Sequence, residues 1–257
     1  MSLVVAVKTL EGLVLAVDSR VVIAPVDTRG VAQTPGTYDN ITTNLFSFKP
    51  PHNFIGVVSY GEPVLGNRAV SGYFAEFSEY LGQQRPERLS VYDFASELSQ
   101  FFTAKWDAVQ APPLGVQLSF LIAGYDDKEA TARIYSARIP ESVEPVELME
   151  GLPSGILPDG EARIIGRIIA GYDITLTDLI NQNLTDEKKL ELRLPIPYEM
   201  LSLRAAVDLA IVLIRATIDL QNLAIMPHTC GGPIDVCTIT SVEGLSSFSA
   251  QRNHGEM

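Results

Sequence analysis

The sequence predicts an α+β protein: a four-layer αββα sandwich, with two antiparallel sheets packed face to face between pairs of helices. Three observations lead there. Apolar residues recur in short strand-like runs near both ends and in the middle of the chain, and at helical period in the blocks between. The resulting order is strands, two helices, strands, further helices, strands, and strands grouped this way bury one face on another sheet and the other on helices. Hydrophobic residues make up 46% of the 257 and charged ones 19%, enough apolar mass for a large core.

Taken in order, Leu3–Val7 and Leu13–Val17 are apolar runs around Leu10-Glu11-Gly12, a hairpin whose glycine supplies the turn. The second run ends in the polar cluster Asp18-Ser19-Arg20. Val21–Thr43, with Pro25, Gly30, Pro35 and Gly36, reads as a long excursion. Asn44–Phe48 and Asn53–Ser59 are strands separated by Lys49-Pro50-Pro51. A helix is expected from Glu62-Pro63, with apolar residues at Leu65, Ala69, Val70, Tyr73, Phe74, Phe77 and Leu81. A second starts near Ser90 and ends before Pro112. Val116–Ala123 and Ala130–Ile139 form a hairpin around Asp126-Asp127, and Glu144–Met149 is a further short strand. Ser154–Gly160 reads as a Gly/Pro loop. Short helices are expected at Ala162–Ala170 and Thr177–Leu184, and the longest at Ser202–Leu223. Strands Ile234–Ser241 and Ser246–Ala250 close the chain. No linker divides it, so residues 1–250 are expected to form one domain with an insert at about 21–43, followed by a polar tail over 251–257.

Net charge is −12, with no Lys/Arg cluster, which excludes a nucleic-acid groove or an anionic membrane surface as partner. Two cysteines, Cys230 and Cys237, fit a reducing compartment, the cytoplasm, rather than a disulfide scaffold. His52, His228 and His254 are scattered, so no metal site is expected, and no cofactor motif is present. No basic segment precedes the first strand, so no leader is expected. Leu201–Leu223 carries Arg204, Asp208, Arg215 and Asp219, which suits a buried helix rather than a membrane span.

Ser2 is the candidate nucleophile. Once Met1 is removed, it would carry a hydroxyl and a free α-amine together, and an amine of pKa near ~8 is partly neutral at pH 7 and able to act as base. Read by themselves, Ser2 is a common second residue and Asp18 an acid able to pair with Arg20.

SLVVAVKTLEGLVLAVDSR resembles the opening of proteasome β subunits, where a strand leads from the nucleophile into a Gly-turned second strand ending in Asp-Ser-Arg or similar. Asn44–Gly61 is similar to the family's next strand pair, Ser202–Ile218 to a late helix, and Cys230–Thr240 (CGGPIDVCTIT) to its Gly-Gly-x-(Ile/Val)-Asp-Val segment. Among bacterial relatives, the ancestral β-subunit type, Anbu, opens as this chain does, with Met before the nucleophile. The resemblance implies the N-terminal-nucleophile hydrolase fold and places the nucleophile at Ser2, the structural aspartate at Asp18 and the oxyanion-binding backbone N–H in the pair Tyr60-Gly61, at Tyr60. It places the bracing Asp and Ser of the family at Asp219 and Cys230. Where the family has a lysine that tunes the nucleophile, this chain has Asn44, which carries no charge. Lys8 lies roughly 20 Å from Ser2 along the strand and does not replace it. The specificity pocket would fall on Val21, Thr42 and Val58, small residues that imply uncharged side chains at the cleaved position.

The resemblance implies a self-assembling peptidase of protein degradation, acting on peptides or proteins without a cofactor, as a homo-oligomeric ring or helix. Phe and Tyr of Val64–Leu81 are the expected contact residues. The alternative is a catalytically degenerate, structural ring subunit, which Asn44 and Cys230 favour. A third reading, a binding protein on the same scaffold, is opposed only by the resemblance.

Overall fold

A computed structural model of the chain describes residues 2–23, 36–39, 44–109, 115–173, 176 and 184–250. The expected opening hairpin is present: strands β1 (Leu3–Lys8) and β2 (Leu13–Asp18) pair antiparallel, Val4 opposite Val17. Thr9 closes its turn, its hydroxyl accepting from the Glu11 and Gly12 amides at 3.2 Å. β3 (Arg20–Ile23) and β4 (Gly36–Asp39) form a two-stranded ribbon inside the expected excursion. The rest of that excursion lies outside the described residues. β5 (Leu45–Ser47) and β6 (Ile55–Gly61) follow, then a small ribbon of β7 (Val64–Leu65) and β8 (Arg68–Ala69). After a 3₁₀ turn at Val70–Tyr73 come α1 (Phe74–Gln84) and α2 (Val91–Asp107). The chain continues through β9 (Leu118–Gly124), β10 (Arg133–Ile139), β11 (Ser142–Leu148) and β12 (Gly155–Gly160). Helices α3 (Arg163–Ala170), α4 (Asp186–Leu192) and α5 (Leu203–Leu223) precede β13 (Ile234–Thr240) and β14 (Gly244–Ala250).

One sheet runs β12-β1-β2-β13-β14 and the other β11-β10-β9-β6-β5, with all pairs antiparallel. Period-two alternation sends Val4, Ala6, Leu13, Leu15 and Val17 to the interface between sheets, against Val58, Leu121, Ala123 and Ile134. The intervening Leu3, Val5 and Val7 face α3 and α5. This is why β1 and β2 are apolar on both faces and buried throughout. On the other side, Val57, Phe120 and Ile122 pack beneath α1 and α2, in a layer rich in Phe74, Phe77, Phe94 and Phe102. The four layers are those the sequence predicts.

Serine caps open two of the helices. Ser90 accepts from Asp93 N at 3.0 Å and Ser202 from Ala205 N at 3.2 Å. Four readings change. The helix expected from Glu62 begins only at Phe74, because Gly66, at φ +66°, turns the chain into the β7–β8 ribbon first. Ser154–Gly160 is mostly strand: β12 is a sheet edge, where Pro158 costs no ladder bond. Helix α4 was not expected; it buries no residue, so it carries no apolar period. Of the aromatic side chains of Val64–Leu81 offered as assembly contacts, Phe74 and Phe77 are buried in the core, and Tyr73 and Tyr80 are half-buried against it. The helix expected at 177–184 falls, as far as residue 183, outside the described residues, as does the tail. Among the described residues, no helix is long and apolar enough to cross a membrane.

Candidate active site

Ser2 sits at the outer end of β1, and Asp18 at the facing end of β2, so the hairpin register alone brings the two together. Asp18 is fully buried. Its carboxylate accepts from Leu3 N at 2.6 Å, Gly231 N at 2.8 Å and Arg20 N at 3.3 Å. Burial pushes its carboxyl up to about 6, against the lowering pull of those three N–H groups. Asp18 therefore ties the first strand, the start of β3 and the Gly231 turn to one point.

Ser2 is nearly buried, and its hydroxyl donates to the Arg20 carbonyl at 3.3 Å. Its own carbonyl accepts from Glu161 N at 3.2 Å, beyond β12. Gly160, at φ +73°, lies against that carbonyl so closely that a Cβ would collide with it. We expect Gly160→Ala to lower stability by about 1–3 kcal/mol and displace Ser2, readable as a denaturant-midpoint shift.

Asn44 directs its amide to the Asp18 backbone carbonyl at 3.1 Å. It stands where the resemblance places a lysine, and no lysine lines this cleft among the described residues. Lys8 lies at the far end of β1, and Lys49 lines a different cleft beside α1. The cation that is present, Arg20, is held in a fork by Asp39 at 2.6 and 2.9 Å, and donates to the Cys230 carbonyl at 3.1 Å. Its guanidinium packs flat on Gly231, where any side chain would collide with it.

Ser2 and Asn44 line one cleft. Val21, Val22, Pro63 and Val70 supply apolar wall, with Ser59, Ser71, Glu62 and Gly61 between them. Val21 is where the resemblance puts a pocket residue. Val58 is not: it points into the core between the sheets, and its neighbour Ser59 faces the cleft, as strand alternation requires. Thr42 lies outside the described residues. Ser59, Glu62 and Val70 were missed, and counting by two from Val57 would have found the first.

Tyr60 was expected to offer its backbone N–H to the site. Glu62 N donates to Gln117 O at 2.9 Å and Ser59 N to Asn44 O at 2.8 Å. The ladder alternation therefore turns the Tyr60 amide toward β9 and the Gly61 amide the other way, on the side of the cleft. The side chain of Tyr60 instead bridges the sheets, its hydroxyl donating to Asp159 at 2.7 Å. Asp159 also accepts from Arg138 at 3.2 Å and from Gly160 N at 2.6 Å, which braces the turn under Ser2.

The late pair does not assemble as expected. Asp219 is exposed on α5. Two residues on, about 160° around the helix, Gln221 is the buried polar group. Gln221 Oε1 accepts from Cys230 N at 2.9 Å, and its Nε2 approaches the Cys230 thiol at 3.7 Å. Burial pushes that thiol up to about 12, so it stays protonated at neutral pH. Cys230 contributes through its backbone, and the next residue's N–H reaches Asp18.

No family model matches the chain, and no curated protein matches it. Among solved structures, Anbu of Hyphomicrobium sp. strain MC1, a Gly-1 mutant, superposes with a TM-score of 0.60 at 18% identity, over 98% of this chain and 88% of that one. The chain has the Anbu fold. Anbu of Yersinia bercovieri, titled an ancestral β-subunit, gives 0.59 at 16% identity, over 99% and 88%. The proteasome β-like architecture implied by the opening hairpin and the Gly231-Gly232 segment is thus present over nearly the whole chain.

Proposed function

We propose that this chain is a proteasome-β-like amide hydrolase of protein degradation, with Ser2 as its nucleophile once Ser2 stands at the amino terminus. The cleft carries this reading: a hydroxyl at the end of β1, lying beside Val21 and Val22 and sharing the cavity with Gly61. In the reaction so read, the Ser2 α-amine takes the hydroxyl proton and Oγ bonds to the substrate carbonyl carbon. The Gly61 N–H holds the developing oxyanion, and the amine hands its proton to the leaving nitrogen as the C–N bond breaks. Water then cleaves the resulting ester. Asp18 keeps Leu3, and with it Ser2, in place.

In this reading residues 1–250 are one cytoplasmic domain, and copies assemble into a ring or helix. Two buried free cysteines support a reducing compartment. Exposed Leu190, Leu194, Met200, Val212, Leu223 and Ile225, on and around α4 and α5, support assembly through the helical layer beside β1.

The second reading, a structural subunit without activity, is favoured by Asn44 and by the capture of Arg20 by Asp39, which leave no unpaired side-chain cation lining the cleft among the described residues. The test is turnover of a set of fluorogenic peptides by protein from its native host, whose N-terminal mass is measured in parallel. Loss of Met1 and turnover that falls at least about 10³-fold in Ser2→Ala support the hydrolase. A retained Met1, or turnover unchanged by Ser2→Ala, leaves the structural reading.

A further inference from the structure

Resting on the hydrolase reading, we infer that Glu62 selects the substrate, and that the cleft takes peptides carrying lysine or arginine at the cleaved position. Glu62 follows Gly61 directly and lines the same cleft as Ser2. It is half-buried, and its carboxylate meets Val64 N at a long 3.4 Å. No ion pair engages it among the described residues.

The other charges around the cleft are already matched. Arg20 is bound bidentate by Asp39 and donates to the Cys230 carbonyl. Asp18 lies behind Ser2 and is covered by three N–H donors. Among the described side chains that line the cavity, the one charge without an ion pair is therefore negative. Burial pushes the Glu62 carboxyl up, so a cation brought beside it recovers part of that desolvation.

The walls match the rest of such a side chain in chemistry. Val21, Pro63 and Val70 present apolar surface, which the methylene stem of lysine or arginine covers while its charged head reaches a polar rim. Of the small residues read from the sequence, which implied uncharged side chains, Val21 lines the wall, and Glu62 supplies the sign. A chain of net charge −12 also draws cationic peptides toward it.

The test separates binding from turnover. The full chain carrying Ser2→Ala is titrated into fluorescein-labelled peptides that differ only by Arg, Leu or Glu at the cleaved position, and fluorescence polarisation gives the affinities. The Arg peptide is expected to bind about tenfold tighter than the Leu peptide, and the Glu peptide weakest. Adding Glu62→Gln brings Arg and Leu within about twofold, and Glu62→Lys reverses the order, with melting temperatures unchanged. Equal affinities, or a preference that survives Glu62→Gln, overturn the inference and leave the hydrolase reading standing. Binding of none of the peptides, together with absent turnover by the unsubstituted protein, overturns the hydrolase reading and this inference with it.

Discussion

Asp18→Ala is expected to destabilise the protein by about 3–9 kcal/mol at pH 4, and by about 3 kcal/mol less at pH 7. The first figure comes from three N–H groups, those of Leu3, Gly231 and Arg20, that lose their acceptor. Each buried donor left unpaired costs about 1–3 kcal/mol. The pH dependence comes from the carboxyl itself, whose value burial raises from 3.8 to about 6 in the folded chain. The fold thus favours the protonated acid. That contribution is fully present below pH 3.8 and is lost as pH rises through 6. A shift of about two units is worth about 3 kcal/mol. Alanine has no such titration, so the gap between the two proteins narrows as pH rises. Denaturant melts of both proteins at pH 4 and pH 7 measure it. A gap that widens with pH would mean that a cation beside Asp18 outweighs its burial.

Asn44→Lys is expected to raise peptide turnover by about 10²-fold or more. The substitution places an ammonium where Asn44 now binds the Asp18 carbonyl, in the cleft shared with Ser2. A cation there lowers the Asp18 carboxyl and stabilises the developing negative charge on Oγ. The stability signature of Asp18 would change with it, since an acid paired to lysine stabilises the fold above its unfolded pKa instead of below it. The value of kcat/KM on a fluorogenic peptide, with the Ser2→Ala, Asn44→Lys double variant as control, is the measurement. Turnover that stays at the control level would show that this cleft lacks more than the lysine.

Much of this was legible in the chain. The β1–β2 hairpin follows from uninterrupted Val/Leu/Ala runs and Gly12, because a strand buried on both faces must be apolar on both. Helices α2 and α5 follow from their apolar stripes. Ser2 and Asp18 become neighbours through local pairing alone, so the resemblance could place them. Elements whose stability comes from distant partners were not legible. Strand β12 looks like a Gly/Pro loop, and is a strand because β1 offers it a ladder. α4 has no apolar stripe to detect.

The site divides along the same line. Residue type and order along the chain determined the hairpin, the serine at its outer end and the acid opposite, and the resemblance marked Asn44 as standing in a lysine's place. Tertiary structure decided what surrounds them: Arg20 spent on Asp39, Gln221 rather than Asp219 behind Cys230, Gly61 rather than Tyr60 turned to the cleft, and Glu62 on its wall. Pairing within a hairpin is set by a few adjacent residues, whereas the direction of an amide or a charge depends on ladders and packing between segments far apart in sequence.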